Sequence, residues 1–362
     1  MPTATRVSIE DLHAFCCQAL ERVGGDPEYA STVADALVMV DSWGTFTHGT
    51  KLLFDYVRRI RAGGIRTDRK PEVVRSGPGW AIVDGQSVMG HVASVFAMNV
   101  AIEKARNVGV AYVGVRNTNH FGAAGFYPYL AAQAGMIGIS MANDIPSVAA
   151  PGSRLAVTGS NPLSYALPTG PDSDPILLDM AISTVAGGKV YAAHQRGESI
   201  PNNWIIDQEG HPTTDGSLYP AKAALQPMGG AKGYGIAVLI EALAGVLSGA
   251  ALTWQVGSWI HGDPTEPTRH GAAFLAIDVA TIMEPSEYWS RMRHVVEEIH
   301  AAPAMEGVDH VLLPGEREWR HRRLAARDGI LLPADVVAKL LMLGDLLELR
   351  PEWLYTPANQ TA

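Results

Sequence analysis

The sequence predicts an α/β protein in which helices at both chain ends enclose a sheet-forming middle. The first 64 residues show apolar side chains at helical spacing, and strand-like runs alternate with helices from about residue 72. After the stretch VLLPGE the helical pattern returns. Alternating strands and helices are typical of an α/β sheet. We therefore predict a helical domain at 1–72, completed by 317–362, and an α/β domain at 73–316.

Three helices are predicted at the N-terminal end. Ser8 is placed to cap the first, and Asp26 with Pro27 begins the second, because proline at the first helical turn needs no N–H group. The third, Lys51 to Ala62, stops at a pair of glycines. The first helix has its apolar residues at a 3.6-residue period: Leu12, Phe15, Cys16, Ala19, Leu20 and Val23.

Strands and helices follow one another through the middle of the chain. Helices are predicted at Val92 to Val108 and at Tyr234 to Leu247, and Pro333 opens the last long helix. The predicted strands are VVRS, WAIVDG, AYVGV, MIGISMAN, PILLDMA and GAAFLAID.

One stretch, RNTNHFGAAGFY, places a histidine between a strand and a helix. GVAYVGV precedes it as a short buried strand, and a helix is predicted from Ala123 to Gly135. His120 thus lies where a strand ends and a helix begins. In α/β folds this is where ligands meet free backbone N–H groups. A satisfied structural histidine in a tight turn is the alternative.

Composition and charge exclude several classes of protein. The formal net charge is −9, which argues against a nucleic-acid partner. Cys16 and Cys17 are adjacent on a predicted helix, which argues against a disulfide framework and fits a reducing compartment. The N-terminus lacks an apolar signal region, and the longest apolar helix, Ile236 to Leu247, is too short to span a bilayer. We expect a cytoplasmic protein without a membrane partner.

The common phosphate-binding and hydrolytic motifs are missing. No G-x-G-x-x-G follows a strand with an acidic residue downstream, so the Rossmann fingerprint fails, and GGKV is not a P-loop. The stretch GGAKGYG does open an amphipathic helix, where free N–H groups and Lys232 could meet a phosphate. No H-E-x-x-H or G-x-S-x-G occurs, so we expect neither a metal site nor a serine hydrolase.

Two histidines in glycine-flanked turns suggest proton transfer. They are His48, after Thr47, and His120. Hydride addition to a carbonyl carbon leaves a negative oxygen, and a nearby proton donor lowers that barrier. Histidine suits the task because its ordinary pKa of about 6.5 lies near physiological pH. A hydroxyl at Thr47 could orient the ring or relay the proton.

Several stretches together resemble the malate/L-lactate dehydrogenase-like oxidoreductases. They run in that family's order over nearly the whole chain: RNTNHFGAAGFY, GMIGISMAN, GSNPLSYALP, DMAISTVAGGKV, IPNNWIIDQEGHPTTD, GGAKGYGIAVLIEALAGVLSGA and VLLPGEREW. The resemblance implies an enzyme that transfers hydride between NAD or NADP and a small 2-oxo or 2-hydroxy acid. It also implies a sheet domain that is not of the Rossmann type, a helical domain built from both chain ends, and a homodimer.

The resemblance also assigns roles to individual residues. His48 would be the proton donor, Thr47 stands where the family usually has serine, and His120 lies at the nicotinamide. Substrate contacts are implied for Ser160 and Asn161 in GSNP. The implied cofactor residues are His120, Phe121, Gly122, Ala123, Ala124, Asp144, Asp179, Met180, Ala181, Lys232, Gly233, Pro314, Gly315 and Glu316.

Departures from the family pattern leave the substrate open. The usual R-G-x-D-S-H-G-x-x-R has Trp43 for its first arginine and Leu52 for the second, which usually grips a substrate carboxylate. Lys51 offers a charge one position earlier, about 100° away on a helix and without a bidentate grip. Lys189 stands where some members have the aspartate of a relay. A reductase of cyclic imines such as piperideine- or pyrroline-2-carboxylate is therefore an alternative, and a cofactor-binding protein without catalysis is another.

Overall fold

The computed structural model describes residues 3–355 and shows a mixed α/β fold. Residues 356–362, the end of the predicted helical domain, lie outside the described residues. Twelve helices occur in the described range: α1 (Ile9–Glu21), α2 (Pro27–Ser42), α3 (Leu53–Ala62), α4 (Gly90–Val108), α5 (Phe126–Gln133), α6 (Gly187–Gln195), α7 (Ala231–Ile240), α8 (Val279–Ile282), α9 (Pro285–His300), α10 (Glu316–Asp328), α11 (Ala334–Leu347) and α12 (Glu352–Tyr355).

Fourteen strands of residues 3–355 form three sheets. They are β1 (Thr5–Val7), β2 (Glu72–Gly77), β3 (Trp80–Asp84), β4 (Val110–Thr118), β5 (Met136–Ala142), β6 (Val148–Ala149), β7 (Ala156–Thr158), β8 (Leu163–Leu167), β9 (Ile176–Met180), β10 (Ile205–Asp207), β11 (Pro212–Thr213), β12 (Ala223–Leu225), β13 (His270–Asp278) and β14 (Ile330–Leu332). The short pairing of β1 with β14 joins the two ends of the chain, and the sequence did not predict it.

The predicted helix ends are confirmed at the N-terminal side. Ser8 Oγ accepts a hydrogen bond from the Asp11 N–H group at 2.9 Å, and the Asp26 carboxylate accepts one from Tyr29 at 2.8 Å. These bonds satisfy N–H groups that have no partner within the helix. Helix α3 ends at Gly63, whose φ of 97° is the left-handed conformation that favours glycine.

The large sheet has seven strands in the order β2-β3-β4-β13-β5-β8-β9. Only β3 and β4 run parallel, and every other neighbouring pair in this sheet is antiparallel. Strand β13 enters the middle, between β4 and β5, although it comes much later in the chain. Helices α4 and α5 pack against these central strands.

A second sheet of five strands, in the order β11-β10-β12-β6-β7, has its own small hydrophobic cluster. Val148, Ile205 and Leu225 are buried there with Val190 of α6. None of these strands was predicted, because each has only two or three residues. Its loops contribute to the cavity described below.

Two predicted helix bounds were wrong. Helix α5 begins at Phe126 rather than Ala123, because the preceding backbone bonds elsewhere: Gly125 N–H donates to the Asp179 carboxylate and the Ala124 carbonyl accepts from Ser140. The second prediction, Tyr234 to Leu247, placed the start three residues too late, because α7 begins at Ala231. Helix α7 ends at Ile240 and continues as a π-helical turn.

One continuous core joins the terminal helices to the large sheet. It includes Leu37 of α2, Leu340 of α11, Met98 of α4 and Phe274 of β13. The division into domains at residues 72 and 316 stays a prediction. Among residues 3–355 no helix has the length and apolar character needed to cross a membrane.

Candidate active site

The cavity that carries the candidate site has a volume of about 1220 Å³. Its walls come from the turn after α2, the loop after β4, the strand ends of the large sheet and the loops of the five-stranded sheet. Typical ligand pockets have about 300–1,000 Å³. This cavity therefore has room for a dinucleotide together with a small acid.

The turn that carries His48 is held by a buried carboxylate. Oδ2 of Asp41 accepts hydrogen bonds from the Thr50 N–H group at 3.1 Å and from the Thr50 hydroxyl at 2.5 Å. A Cβ atom at position 49 would lie 1.8 Å from Asp41 Oδ1, so Gly49 is the residue that fits. His48 Nδ1 lies 3.0 Å from the Thr47 hydroxyl. The ring nitrogen left for a substrate oxygen is Nε2.

The environment of His48 favours its neutral form. Burial lowers the pKa of its imidazole, and the charge of Asp144 partly opposes that shift. A neutral imidazole can accept a proton from a hydroxy acid, and its conjugate acid readily returns one to an oxygen.

His120 is fixed from two sides. Its Nδ1 lies 2.7 Å from the Tyr56 hydroxyl, and its ring stacks on Trp259 with centroids 4.1 Å apart. Burial, followed by the charges of nearby histidines, lowers the pKa of His120 well below its usual range, while burial raises that of Tyr56. Both groups are therefore neutral, and their hydrogen bond occupies Nδ1 and leaves Nε2 of His120 without a hydrogen-bond partner among the described residues. The centroids of His48 and His120 are 6.0 Å apart.

A further histidine, His270 at the start of β13, lies 6.3 Å from His120 between ring centroids. Its Nε2 lies 3.1 Å from Oδ1 of Asp144, and its Nδ1 lies 2.8 Å from the Thr268 hydroxyl. Both His270 and Asp144 line the cavity. His270 was not predicted, because no local motif marks it in the sequence; only the tertiary pairing of β13 with β4 and β5 brings it here.

Most residues assigned by resemblance line this one cavity. These are Thr47, His48, His120, Phe121, Gly122, Ala123, Ala124, Asp144, Ser160, Asp179, Met180, Ala181, Pro314 and Gly315. Asp179 accepts a hydrogen bond from the Gly125 N–H group at 2.7 Å, and its enclosure raises the pKa of its carboxyl group to about 6. Gly122 lines the cavity with its backbone alone, and its φ of 73° lies in the left-handed region that favours glycine.

Five predicted site residues lie outside the lining of the cavity. Lys51 pairs with Asp335, Nζ to Oδ2, at 2.7 Å, and Glu316 lies 2.7 Å from His300. Asn161 is buried and donates to the Ala237 carbonyl and to Glu241. Lys232 is exposed on α7, and Gly233 is packed against the Met228 carbonyl of the same segment. The assigned roles of these five residues stay predictions.

The two positions that lack the family's arginines are apolar in their surroundings. Trp43 packs edge-on against Trp319 and Tyr129, with centroids 5.6 and 6.3 Å apart. Leu52 packs against the hydrophobic core and does not line the cavity. Neither position therefore supplies a positive charge that could bind the carboxylate of a substrate.

Three cationic side chains line the cavity near the five-stranded sheet. None of them was assigned to the cofactor from the sequence. Arg154 lies between β6 and β7, Lys189 on α6 and Lys222 just before β12. Their charges suit the phosphates of a dinucleotide, and the histidine-lined wall suits the reacting end. Residues 3–355 contain no group of three or more His, Cys, Asp or Glu side chains arranged to hold a metal ion.

Comparison with known proteins identifies the family. The malate/L-lactate dehydrogenase family model matches residues 7–341. The chain belongs to that family. It is 35% identical to a malate dehydrogenase of Pyrococcus abyssi, covering 92% of this chain and 93% of the relative. An L-sulfolactate dehydrogenase of Methanothermobacter thermautotrophicus is also 35% identical, covering 96% and 98%.

The fold agrees with the sequence comparison. The crystal structure of malate dehydrogenase from Entamoeba histolytica superposes with a TM-score of 0.90 at 30% identity, covering 96% of this chain and 99% of that one. The predicted family is confirmed, and with it an enzyme of the oxidoreductase class that uses NAD or NADP.

Proposed function

We propose that this enzyme transfers hydride between NAD(P) and a small 2-oxo or 2-hydroxy acid, with His48 as the proton-transfer group. The observation that carries the proposal is the position of His48 at the cavity wall, with Nδ1 occupied by Thr47 and Nε2 left for substrate. A bound nicotinamide would supply or accept the hydride. Arg154, Lys189 and Lys222 would hold its phosphates, and Asp179 would fix the loop against which it lies.

In this mechanism the protein handles the proton. During oxidation, neutral His48 takes the hydroxyl proton as the hydroxy carbon loses hydride; in reduction it returns that proton to the carbonyl oxygen. Thr47 orients the imidazole through Nδ1. Tyr56 and Trp259 hold His120 so that its Nε2 is left for a ligand.

Replacement of His48 tests this assignment. We expect His48→Ala to lower kcat by about 10²–10⁴-fold, since a general acid or base contributes that much, while the dissociation constant of the reduced cofactor changes little. The measurement is oxidation of NADH and NADPH with a panel of 2-oxo acids. His13→Ala is the matched control, because His13 lies on α1 and pairs with Asp35 away from the cavity.

Activity of His48→Ala within about tenfold of wild type would contradict the assignment. If no acceptor in the panel is reduced by the wild-type enzyme while cofactor still binds, the substrate class itself is wrong.

A second candidate acceptor is a cyclic imine such as piperideine- or pyrroline-2-carboxylate. Leu52, partly buried against the core, stands in place of the arginine that binds the substrate carboxylate, and this favours the imine over a dicarboxylate. A protonated imine needs little help from an acid, so imine reduction would be less sensitive to His48→Ala than 2-oxo acid reduction. Measuring both acceptors under the same conditions separates the two.

We also propose the non-Rossmann class for the cofactor domain, with the division at residues 72 and 316, and a cytoplasmic homodimer. The large sheet with one parallel pair supports the first proposal. The free thiols of Cys16 and Cys17 support the location.

Helix α9 supports the homodimer. Its sequence is amphipathic, yet none of its described residues is buried and Val295 is exposed, so its apolar side is left for a partner subunit. Sedimentation equilibrium tests the dimer, and a monomer mass would contradict it.

A further inference from the structure

A buried chain of hydrogen bonds runs from Asn119 to Asp144 and ends at the cavity. The side-chain amide of Asn119 donates to the carbonyls of Ser87 and Val88, at 2.9 and 3.0 Å. These two bonds fix the amide, so Oδ1 of Asn119 faces the hydroxyl of Thr268, 2.9 Å away. A carbonyl oxygen can only accept, so the single O–H group of Thr268 donates its hydrogen bond to Asn119.

His270 makes a hydrogen-bond contact at each of its two ring nitrogens. The Thr268 oxygen can only accept from His270 Nδ1, at 2.8 Å, and the carboxylate of Asp144 can only accept from Nε2, at 3.1 Å. Both ring nitrogens of His270 therefore have a partner, and these two contacts fix the ring against Asp144. His270 and Asn119 are each buried to within 3% of full burial, so an unmade bond here would be costly.

Asp144 is left with one oxygen for the cavity. Its Oδ1 already accepts from His270 and from the Ile145 N–H group at 2.8 Å. Among the described residues Oδ2 has no hydrogen-bond partner, and the side chain is 22% exposed at the cavity wall. Asp144 lies on the same cavity wall as the proposed reacting group: its partner His270 is 6.3 Å from His120 between ring centroids, and His120 is 6.0 Å from His48.

We propose that Asp144, held by His270, is a specificity-determining residue that selects substrates with an N–H or O–H donor beside the reacting carbon and disfavours those with a second anionic group. This inference rests on the proposed function. Such a preference differs from the substrates after which the malate and sulfolactate dehydrogenases are named. It agrees with the apolar residues Trp43 and Leu52 at the positions where the family usually has arginines. A carboxylate or sulfonate at this position would face Oδ2 with no proton between them.

The test uses two substrates that differ in this one group: malate and its 4-amide, malamate, each as both enantiomers. The amide offers an N–H donor where malate has a carboxylate oxygen, at nearly the same size. We expect wild-type kcat/KM for oxidation to favour malamate by at least about tenfold, the effect of one hydrogen bond to a charged group. The dissociation constants of both compounds, measured by calorimetry in the presence of reduced cofactor, should differ in the same direction.

The matched variant is Asp144→Asn. Its amide oxygen still accepts from His270, while its N–H₂ group presents donors to the cavity, so the preference for malamate should fall at least about tenfold and move toward malate. Asp172→Asn, the same change in an exposed turn between β8 and β9, should leave the ratio unchanged.

Three results would overturn the inference: a wild-type ratio near one, a wild-type preference for malate, or an unchanged ratio in folded Asp144→Asn. If that variant does not fold, the wild-type ratio decides alone. Failure of the proposed function looks different, because no 2-hydroxy acid would then reduce the cofactor, and the binding ratio would still test Asp144.

Discussion

At the scale of single residues, the site combines histidines of different kinds. His48 and His120 were predicted from glycine-flanked turns, and the structure places their rings 6.0 Å apart on one cavity wall. His270 has no local sequence signal, and it meets Asp144 only through the pairing of distant strands. Its two committed hydrogen bonds suit a positioning role, whereas the open Nε2 of His48 suits proton transfer.

The pKa of His48 gives the site a predictable pH dependence. Burial lowers this pKa below its ordinary value of about 6.5, and oxidation needs the neutral base. We expect kcat/KM for oxidation to rise with pH and to reach half its plateau below pH of about 6.5, and kcat/KM for reduction to fall over the same range. Asp144→Asn removes a charge that raises this pKa, so the half-point should move to lower pH.

Initial rates between acidic and neutral pH, in both directions, provide the measurement. A half-point above the ordinary histidine pKa would exclude buried His48 as the titrating group. A half-point that Asp144→Asn moves to higher pH would contradict the electrostatic coupling of the two residues.

At the scale of elements, the turn between α2 and α3 depends on one steric detail. Gly49 is required because a Cβ atom would lie 1.8 Å from Asp41 Oδ1, inside the carboxylate that binds Thr50. The sequence showed a glycine next to His48 but gave no reason for it. The reason is tertiary: the end of α2 folds back against the turn and fills the space.

A pair of glycine substitutions tests this packing. We expect Gly49→Ala to lower the free energy of unfolding by about 2–4 kcal/mol, because the Asp41 carboxylate must move and lose its bonds. Gly235→Ala is the control: Gly235 lies inside α7, and a Cβ atom there would meet nothing within 4 Å. Alanine is the better helix former, so the control should be neutral or stabilising by up to about 1 kcal/mol.

Chemical denaturation of both variants gives these values. Equal effects of the two substitutions would show that the contact with Asp41 does not determine the outcome at position 49.

At the scale of the whole molecule, a buried carboxyl group links folding to pH. Burial raises the pKa of Asp41 to about 7, against the opposing hydrogen bonds from Thr50. An unfolded aspartate titrates near pH of about 3.9, so the folded state holds this proton more tightly. The contribution of Asp41 to the free energy of unfolding therefore decreases as pH rises from about 4 to about 7, and it is constant above that range.

Asp41→Asn isolates this contribution. The variant cannot titrate at this position, so its stability relative to wild type should increase between pH 5 and pH 8, by about 2.5 kcal/mol, because about two pH units of the titration window lie above pH 5. Denaturation at the two pH values gives the difference, with other titrating groups cancelling between the proteins. A relative stability independent of pH would mean that Asp41 ionises in the folded state as it does in the unfolded chain.

The sequence by itself determined the longer helices and strands, the family resemblance and the turns that carry His48 and His120, because caps, periodicity and motifs are local patterns. Only the tertiary structure decided which residues share the cavity. It brought in His270 and Arg154, and it left Lys51 and Lys232 outside its lining. The five-stranded sheet and the pairing of β1 with β14 were also invisible in the sequence. Strands of two or three residues carry too little pattern to detect, and contacts between distant segments depend on packing that no local stretch encodes.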